Sequence, residues 1–166
     1  MRLLYPFAKR FIAGEDLSTA LKSIHVLESS GYLSTVDILG EHIHRKEQAE
    51  RAQKAYLDLV REINNGPSPI DLSVKVTQMG LDIDREICRR NISELLAAAS
   101  RHTVRLDMEG SGYTQSTIDL CVALHKTHKN LGQAVQAYLF RTANDVDRLI
   151  ENGISVRLCK GAYKEP

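Results

Sequence analysis

Five residues draw attention because each is a single polar side chain set between two apolar ones. They are Asp37 in Val36-Asp37-Ile38, Lys75 in Val74-Lys75-Val76, Asp107 in Leu106-Asp107-Met108, Gln136 in Val135-Gln136-Ala137 and Arg157 in Val156-Arg157-Leu158. Together they offer two carboxylates, an amine, an amide and a guanidinium. A guanidinium or amide fixed near a group that gains negative charge stabilises that charge, and arginine suits the task because it stays ionised and presents several donors in a plane. A lysine flanked by valines is a candidate for desolvation and Schiff-base chemistry. Lys160 precedes Gly161, so an amine and a bare backbone can approach one anionic group. A simpler reading pairs Asp37 with Lys75 and Asp107 with Arg157 as partnered structural ions. Spacing alone leaves the reaction open.

The elements that carry these residues alternate. Leu17, Ala20, Leu21, Ile24 and Leu27 recur at helical spacing, with Gly31 as a stop signal. Thr35–Leu39 reads as a strand and His44–Ile63 as an amphipathic helix, closed by the turn-forming run Asn64–Pro69. Further strands are expected at 71–77, 103–108, 133–139 and 155–159. The helices between them are expected at about 84–101 and 114–129, then from a variant capping box at Thr142–Asp145 to Gly153. Strand and helix exchanging at roughly 20 to 40 residues per unit imply a parallel sheet with right-handed crossovers. No G-x-G-x-x-G follows the first strand and no G-x-x-x-x-G-K-[ST] occurs, which counts against the nucleotide-binding open sheets. Alternation within a strand sends the apolar pair to the helical layer and the polar residue to the opposite face. In a doubly wound sheet that face is also covered by helices, where unpaired charges cost several kcal/mol. In a (β/α)8 barrel it is the lumen, whose upper end holds ligands. The fold expected is therefore an α/β barrel of TIM type, represented by about its first five βα units, with residues 1–30 as an N-terminal helical segment and 31–166 as the partial barrel.

Composition narrows the function. The 166 residues are 43% hydrophobic and 26% charged, with a net charge of +1, which gives no electrostatic case for nucleic acid or for an anionic membrane surface. Trp is absent and aromatics are 5%, which disfavours a base-stacking surface. No run of about 18 apolar residues exists to span a bilayer. Glu15 and Asp16 precede any long apolar stretch, against a signal peptide. Cys88, Cys121 and Cys159 are an odd, widely spaced set that reads as reduced thiols, and the expected location is cytoplasmic. The pairs His42/His44 and His125/His128 lack a visible third ligand and read as solvated residues, so no metal is expected. Arg85, Arg89 and Arg90 read as a solvated helix face, and Cys159 as packing.

Three stretches carry a resemblance: Ser73-Val-Lys-Val-Thr-Gln-Met-Gly-Leu81, Leu106-Asp-Met-Glu-Gly-Ser111 and Val156-Arg-Leu-Cys-Lys-Gly-Ala-Tyr-Lys-Glu-Pro166, with Gln136-Ala-Tyr138 and Asp37-Ile-Leu-Gly-Glu41 in matching order. The sequence resembles the proline dehydrogenase family, in its stand-alone bacterial form. The resemblance implies an FAD enzyme that oxidises L-proline to 1-pyrroline-5-carboxylate by hydride transfer to flavin N5. Electrons then pass to a quinone or other acceptor, which for the full-length protein implies peripheral contact with the inner membrane. Position by position, Lys75 resembles the lysine that helps bind the substrate carboxylate and Asp107 the catalytic pocket aspartate. Met108 matches the residue along the flavin, Gln136 the partner of its pyrimidine end, and Arg157 the catalytic arginine near N5. Lys160, Gly161 and Ala162 match the segment wrapping the cofactor.

A complete barrel takes at least about 200 residues. The chain is expected to be the N-terminal part of such an enzyme, lacking the later strands and the paired arginines that grip the carboxylate. As a lone polypeptide it is expected to be inactive and prone to aggregate through the bare edges of its outer strands. Two other readings explain the alternation: a Schiff-base lyase using Lys75, and a non-catalytic half-barrel that assembles with a partner or with itself.

Overall fold

The computed structural model describes residues 12–161. Five helices and five strands alternate along them: α1 Leu17–Ser29, β1 Thr35–Asp37, α2 Lys46–Ile63, β2 Asp71–Val74, α3 Arg85–Ala98, β3 Thr103–Leu106, α4 Ser111–His125, β4 Leu131–Gln136, α5 Thr142–Glu151 and β5 Ser155–Cys159. Asp16 caps α1, accepting from Thr19 N at 2.8 Å while its own N–H donates to Thr19 Oγ1. Gly31, at φ +81°, ends α1 in a Schellman turn: its N–H donates to Glu28 O and that of Tyr32 to Leu27 O.

All four strand pairings are parallel and the sheet order is β1-β2-β3-β4-β5. A doubly wound sheet reverses its strand order at a switch point. This sheet adds each strand on the same side of the last, as a barrel does. The helical layer covers one face. Leu72, Val74, Val104 and Leu106 are buried under Tyr56, Leu59, Ile92, Leu95, Leu96 and Ile118. Ile24 of α1 belongs to the same core.

Several elements end elsewhere than periodicity suggests. β2 stops at Val74 rather than Thr77, because the chain enters a turn in which Met79 N donates to Lys75 O and Gly80 takes φ +103°. β3 ends two residues early, and β4 starts two residues early and stops at Gln136, three before the expected end, its last carbonyl being taken by Thr142 Oγ1 at 2.5 Å. That bond also removes the expected capping box. Thr142 faces back to β4, and Asp145 accepts from Arg141 Nε and Nη2, both at 2.7 Å. α4 ends at His125, which is buried with Nδ1 3.0 Å from Leu131 O, and His128 Nε2 lies 2.9 Å from Ser93 Oγ. Neither histidine is the solvated helix residue expected. Arg85, Arg89 and Arg90 are exposed, as their spacing suggests.

The turn at 64–69 is clamped from β3's entrance. Arg101 Nη1 donates to Asn64 O. His102 accepts from Ile70 N through Nδ1 at 3.1 Å, and its Nε2 lies 3.1 Å from Asn64 Oδ1. Burial, with Arg101 beside it, holds the His102 pKa below its ordinary value. A depressed histidine pKa contributes stability that is complete above about pH 6.5 and is lost as pH falls through the folded value. The unfolding free energy is expected to drop between pH 7 and 5, and His102→Gln to flatten that drop while lowering the pH 7 value by about 1–3 kcal/mol. An unchanged pH slope in His102→Gln would refute the assignment.

Candidate active site

The face of the sheet opposite the helices is lined two residues apart by side chains in register. Cα pairing puts Asp37 beside Ser73, Ser73 beside Arg105, Arg105 beside Gly132 and Gly132 beside Ser155. One layer further stand Lys75 and Asp107, each the residue just past the end of its strand, and Ala134 paired with Arg157, then Gln136 paired with Cys159. Arg157 Nη2 on β5 donates to Ser73 Oγ on β2 at 2.7 Å. Three strand spacings in a flat sheet would set those backbones about 14 Å apart, so this bond records the curling of the sheet around a lumen.

Four of the five polar strand residues join there. Lys75 Nζ donates to Asp37 Oδ2 at 2.7 Å and to Asp107 Oδ2 at 3.2 Å, and Arg157 Nη2 donates to Asp107 Oδ1 at 2.6 Å. Ser73 Oγ donates to the same Asp107 oxygen at 2.5 Å. The pairs Asp37–Lys75 and Asp107–Arg157, the bland reading of these residues, both form, and Lys75 joins them into one network. Burial works against the Lys75 ammonium, but Asp37 and Asp107 outweigh it and hold its pKa above the ordinary value. A Schiff-base lysine must shed that proton to attack a carbonyl, and the two carboxylates oppose this.

Gln136 does not join the ions. Its Nε2 donates to Met108 O at 3.0 Å, while its Oε1 is buried without a hydrogen-bond partner. Gln136 lines a cavity of about 400 Å³ together with Asp107, Met108, Arg157, Lys160 and Gly161, on the lumen side of β3 to β5. Gly161 takes φ +114°, and a Cβ on it would fall 1.8 Å from the Tyr138 ring. Ala162 lies outside the described residues. Cys159 also lines this cavity and is exposed, a correction to its reading as packing: it faces the lumen on the outermost strand of the sheet. Cys88 and Cys121 are buried, which pushes both thiols up to about 12 and leaves them protonated.

Around the mouth, the loop after β1 is pinned by the loops after β2 and β3. His42, at φ +49°, donates its N–H to Thr77 Oγ1 at 3.0 Å. Thr77 in turn donates through N and Oγ1 to the Glu109 carboxylate at 3.1 and 2.5 Å. Burial raises the Glu109 pKa despite those donors. Ligand atoms of Glu41, His42 and Glu109 lie within 4.8 Å of one another, but Thr77 occupies both Glu109 oxygens.

Several members of this site escaped the strand-by-strand reading. Asp71 and Arg105 also face the lumen, and the Tyr56 hydroxyl of α2 donates to Ser73 O at 2.7 Å and accepts from Ile38 N at 3.1 Å. The signal for the first two was present: the period of two runs back from Lys75 by two layers in Asp71-x-Ser73-x-Lys75 and from Asp107 by one in Arg105-x-Asp107.

Comparison with known proteins agrees with the fold. Residues 20–166 match the family model described as proline dehydrogenase. The chain is 34% identical over 160 residues to proline dehydrogenase 2 of Bacillus subtilis strain 168, and 31% to proline dehydrogenase 1 of Bacillus subtilis subsp. natto. Each alignment covers 95% of this chain and 53% of the relative, so the chain spans about half the length of these proteins. Among solved structures, proline utilization A of Bdellovibrio bacteriovorus, inactivated by N-propargylglycine, superimposes with a TM-score of 0.85 at 25% identity, over 98% of this chain and 21% of that one. A similar fold in Corynebacterium freiburgense proline utilization A gives a TM-score of 0.66 at 23% identity over 89% of this chain and 18% of that one. With nearly its whole length matched by that family model, the chain belongs to the proline dehydrogenase family.

Proposed function

We propose that this chain carries the first five strands of an FAD-dependent barrel that oxidises L-proline to 1-pyrroline-5-carboxylate. The observation that carries the reading is Gln136, which lines the cavity shared with Arg157 and Asp107 and whose Oε1 is buried without a hydrogen-bond partner. A buried acceptor without a partner costs about 1–3 kcal/mol, and a ligand N–H at that point removes the cost. The pyrimidine end of an isoalloxazine presents such a donor. The cavity volume falls in the range of small-molecule sites, and the bare backbone at Gly161 suits close approach of a cofactor. The donor set fits the group.

When bound, FAD supplies the acceptor for the substrate hydride. In this reading Gln136 and the segment Lys160–Ala162 hold the cofactor, with Met108 against its ring system. Arg157 presents a fixed positive charge where the ring system accumulates negative charge. Asp107 fixes Arg157 and Lys75 in one geometry, and Lys75, protonated, offers its remaining N–H to the substrate carboxylate. Electrons leave to a quinone or other acceptor, which would set the whole protein on the cytoplasmic side of the inner membrane, in peripheral contact with it. The raised pKa of Lys75 favours this reading over a Schiff-base lyase.

The test is a titration of the full-length protein with FAD, followed by anaerobic addition of L-proline. Bound-flavin absorbance that bleaches with proline is the expected result, and Gln136→Leu should weaken FAD binding roughly tenfold, the worth of one neutral hydrogen bond. A full-length protein without flavin affinity, or covalent trapping of a carbonyl compound on Lys75 by borohydride, would overturn it.

A further inference from the structure

Beneath the cavity the lumen has a charged floor to which the proposed function assigns no role. Asp71 and Arg105 occupy it, with Arg105 Nε donating to Asp71 Oδ2 at 3.0 Å. Arg105 Nη1 then crosses β4 to Ser155 O on β5 at 3.3 Å. It can cross because β4 presents Gly132 at that register, where a Cβ would lie 2.7 Å from Arg105 Nη1 and 3.0 Å from Ser155 O. The same Asp71 oxygen lies 3.7 Å from Arg157 Nη1, while Arg157 Nη2 is held by Asp107 and Ser73. The other Asp71 oxygen, Oδ1, is buried with no hydrogen-bond partner.

The lumen charges therefore alternate in one run: Asp37, Lys75, Asp107, Arg157, Asp71, Arg105. Arg157 stands between two carboxylates, and Arg105 occupies the lower one. If Arg105 lost its charge, Asp71 would turn to the nearest remaining cation, Arg157, and draw it away from Asp107 and the cavity wall. If Asp71 lost its charge, Arg157 would stay on Asp107 with more of its positive charge uncompensated. Both effects are strong because these side chains are largely shielded from water.

We propose that the Asp71–Arg105 pair positions Arg157, holding its guanidinium on Asp107 at the cavity wall and setting how much of its charge the cavity receives. The proposal rests on the flavin reading of the cavity for its electrochemical consequence, and on geometry alone for its structural one.

The test compares Asp71→Asn, Arg105→Gln and the double variant in the flavin-loaded protein, reading the reduction potential of the bound flavin by equilibration with redox dyes. Asp71→Asn is expected to raise the preference for reduced over oxidised flavin at least tenfold, about 30 mV for a two-electron couple. Arg105→Gln is expected to lower it by a similar factor, and the double variant to fall between them. Gly132→Ala keeps both charges but closes the slot Arg105 uses, and should shift the potential in the same direction as Arg105→Gln. Shifts of one sign in both single variants, or none, would mean that the pair only supports the fold, and would overturn the proposal. A crystal structure of Arg105→Gln, or of Gly132→Ala should that variant be the one that folds, decides without flavin. Arg157 released from Asp107 and bonded to Asp71 supports the proposal, and Arg157 still hydrogen-bonded to Asp107 overturns it. A parent protein that binds no flavin would sink the cofactor reading while leaving the structural arm to decide the positioning role.

Discussion

Replacing Asp107 with alanine is expected to remove both stability and turnover, because one carboxylate serves three donors. Lys75, Arg157 and Ser73 all converge on it at 2.5–3.2 Å. Deleting one partner of a buried pair leaves its cations uncompensated and costs about 3–5 kcal/mol. Lys75 retains Asp37 and the lumen is not wholly dry, so the lower end, about 3 kcal/mol, is the expected loss in a denaturation experiment. On the proposed function, turnover of the full-length protein with proline should fall on the order of 10²- to 10³-fold, the loss that follows when a group stabilising developing charge is no longer held in place. Asp107→Asn separates the two effects. It keeps the shape and an acceptor oxygen, so it should recover most of the stability and little of the turnover. Full activity in Asp107→Ala would remove the lumen from the reaction.

Arg157→Met is expected to have a large effect on the cofactor and a small one on the fold. Each carboxylate it touches has another cation: Asp107 keeps Lys75, and Asp71 keeps Arg105. The methionine stem retains part of the packing on β5. What disappears is the fixed positive charge at the cavity wall. FAD affinity should fall about 10- to 100-fold, the equivalent of one charge-assisted hydrogen bond, and proline-driven bleaching of any flavin that binds should slow by about 10²-fold or more. A denaturation midpoint close to the parent, together with this loss, identifies Arg157 as a cofactor residue. Unchanged FAD affinity would contradict that assignment.

The barrel was legible because alternation is a local property. Val104 and Leu106 go inward to the helices, Arg105 and Asp107 outward to the lumen, and no distant information is needed to see it. The same logic exposed Asp37, Lys75, Asp107 and Arg157. One polar residue per strand passes over Arg105, one layer below Asp107, and Asp71, two layers below Lys75, because the lumen side chains continue down the strands. Other features were not legible at any level of sequence reasoning. Tyr56 lies on the inner stripe of α2, but only the packed structure shows its hydroxyl bridging β1 and β2. Glu109 is 32 residues from Thr77, and nothing local announces their bond. Gly132 reads as a weak point in a strand until Arg105 is seen crossing it. Strand ends were misplaced where side chains rather than propensity decide them, as at Gln136, whose carbonyl Thr142 removes from the sheet.

The order in which the strands pair has a consequence for how the chain acquires its structure. Each strand lies beside its immediate successor, with register partners separated by 36, 32, 27 and 23 residues along the sheet. Pairing can therefore proceed in step with synthesis, every new unit docking on one already in place. Arg157 is the exception, since it bonds Ser73 from 84 positions away. Until β5 arrives, Asp107 has only Lys75 as a cation and Asp71 only Arg105. Among these five strands the ionic interior is thus the last feature to mature, and its completion reports that the earlier units have curled correctly.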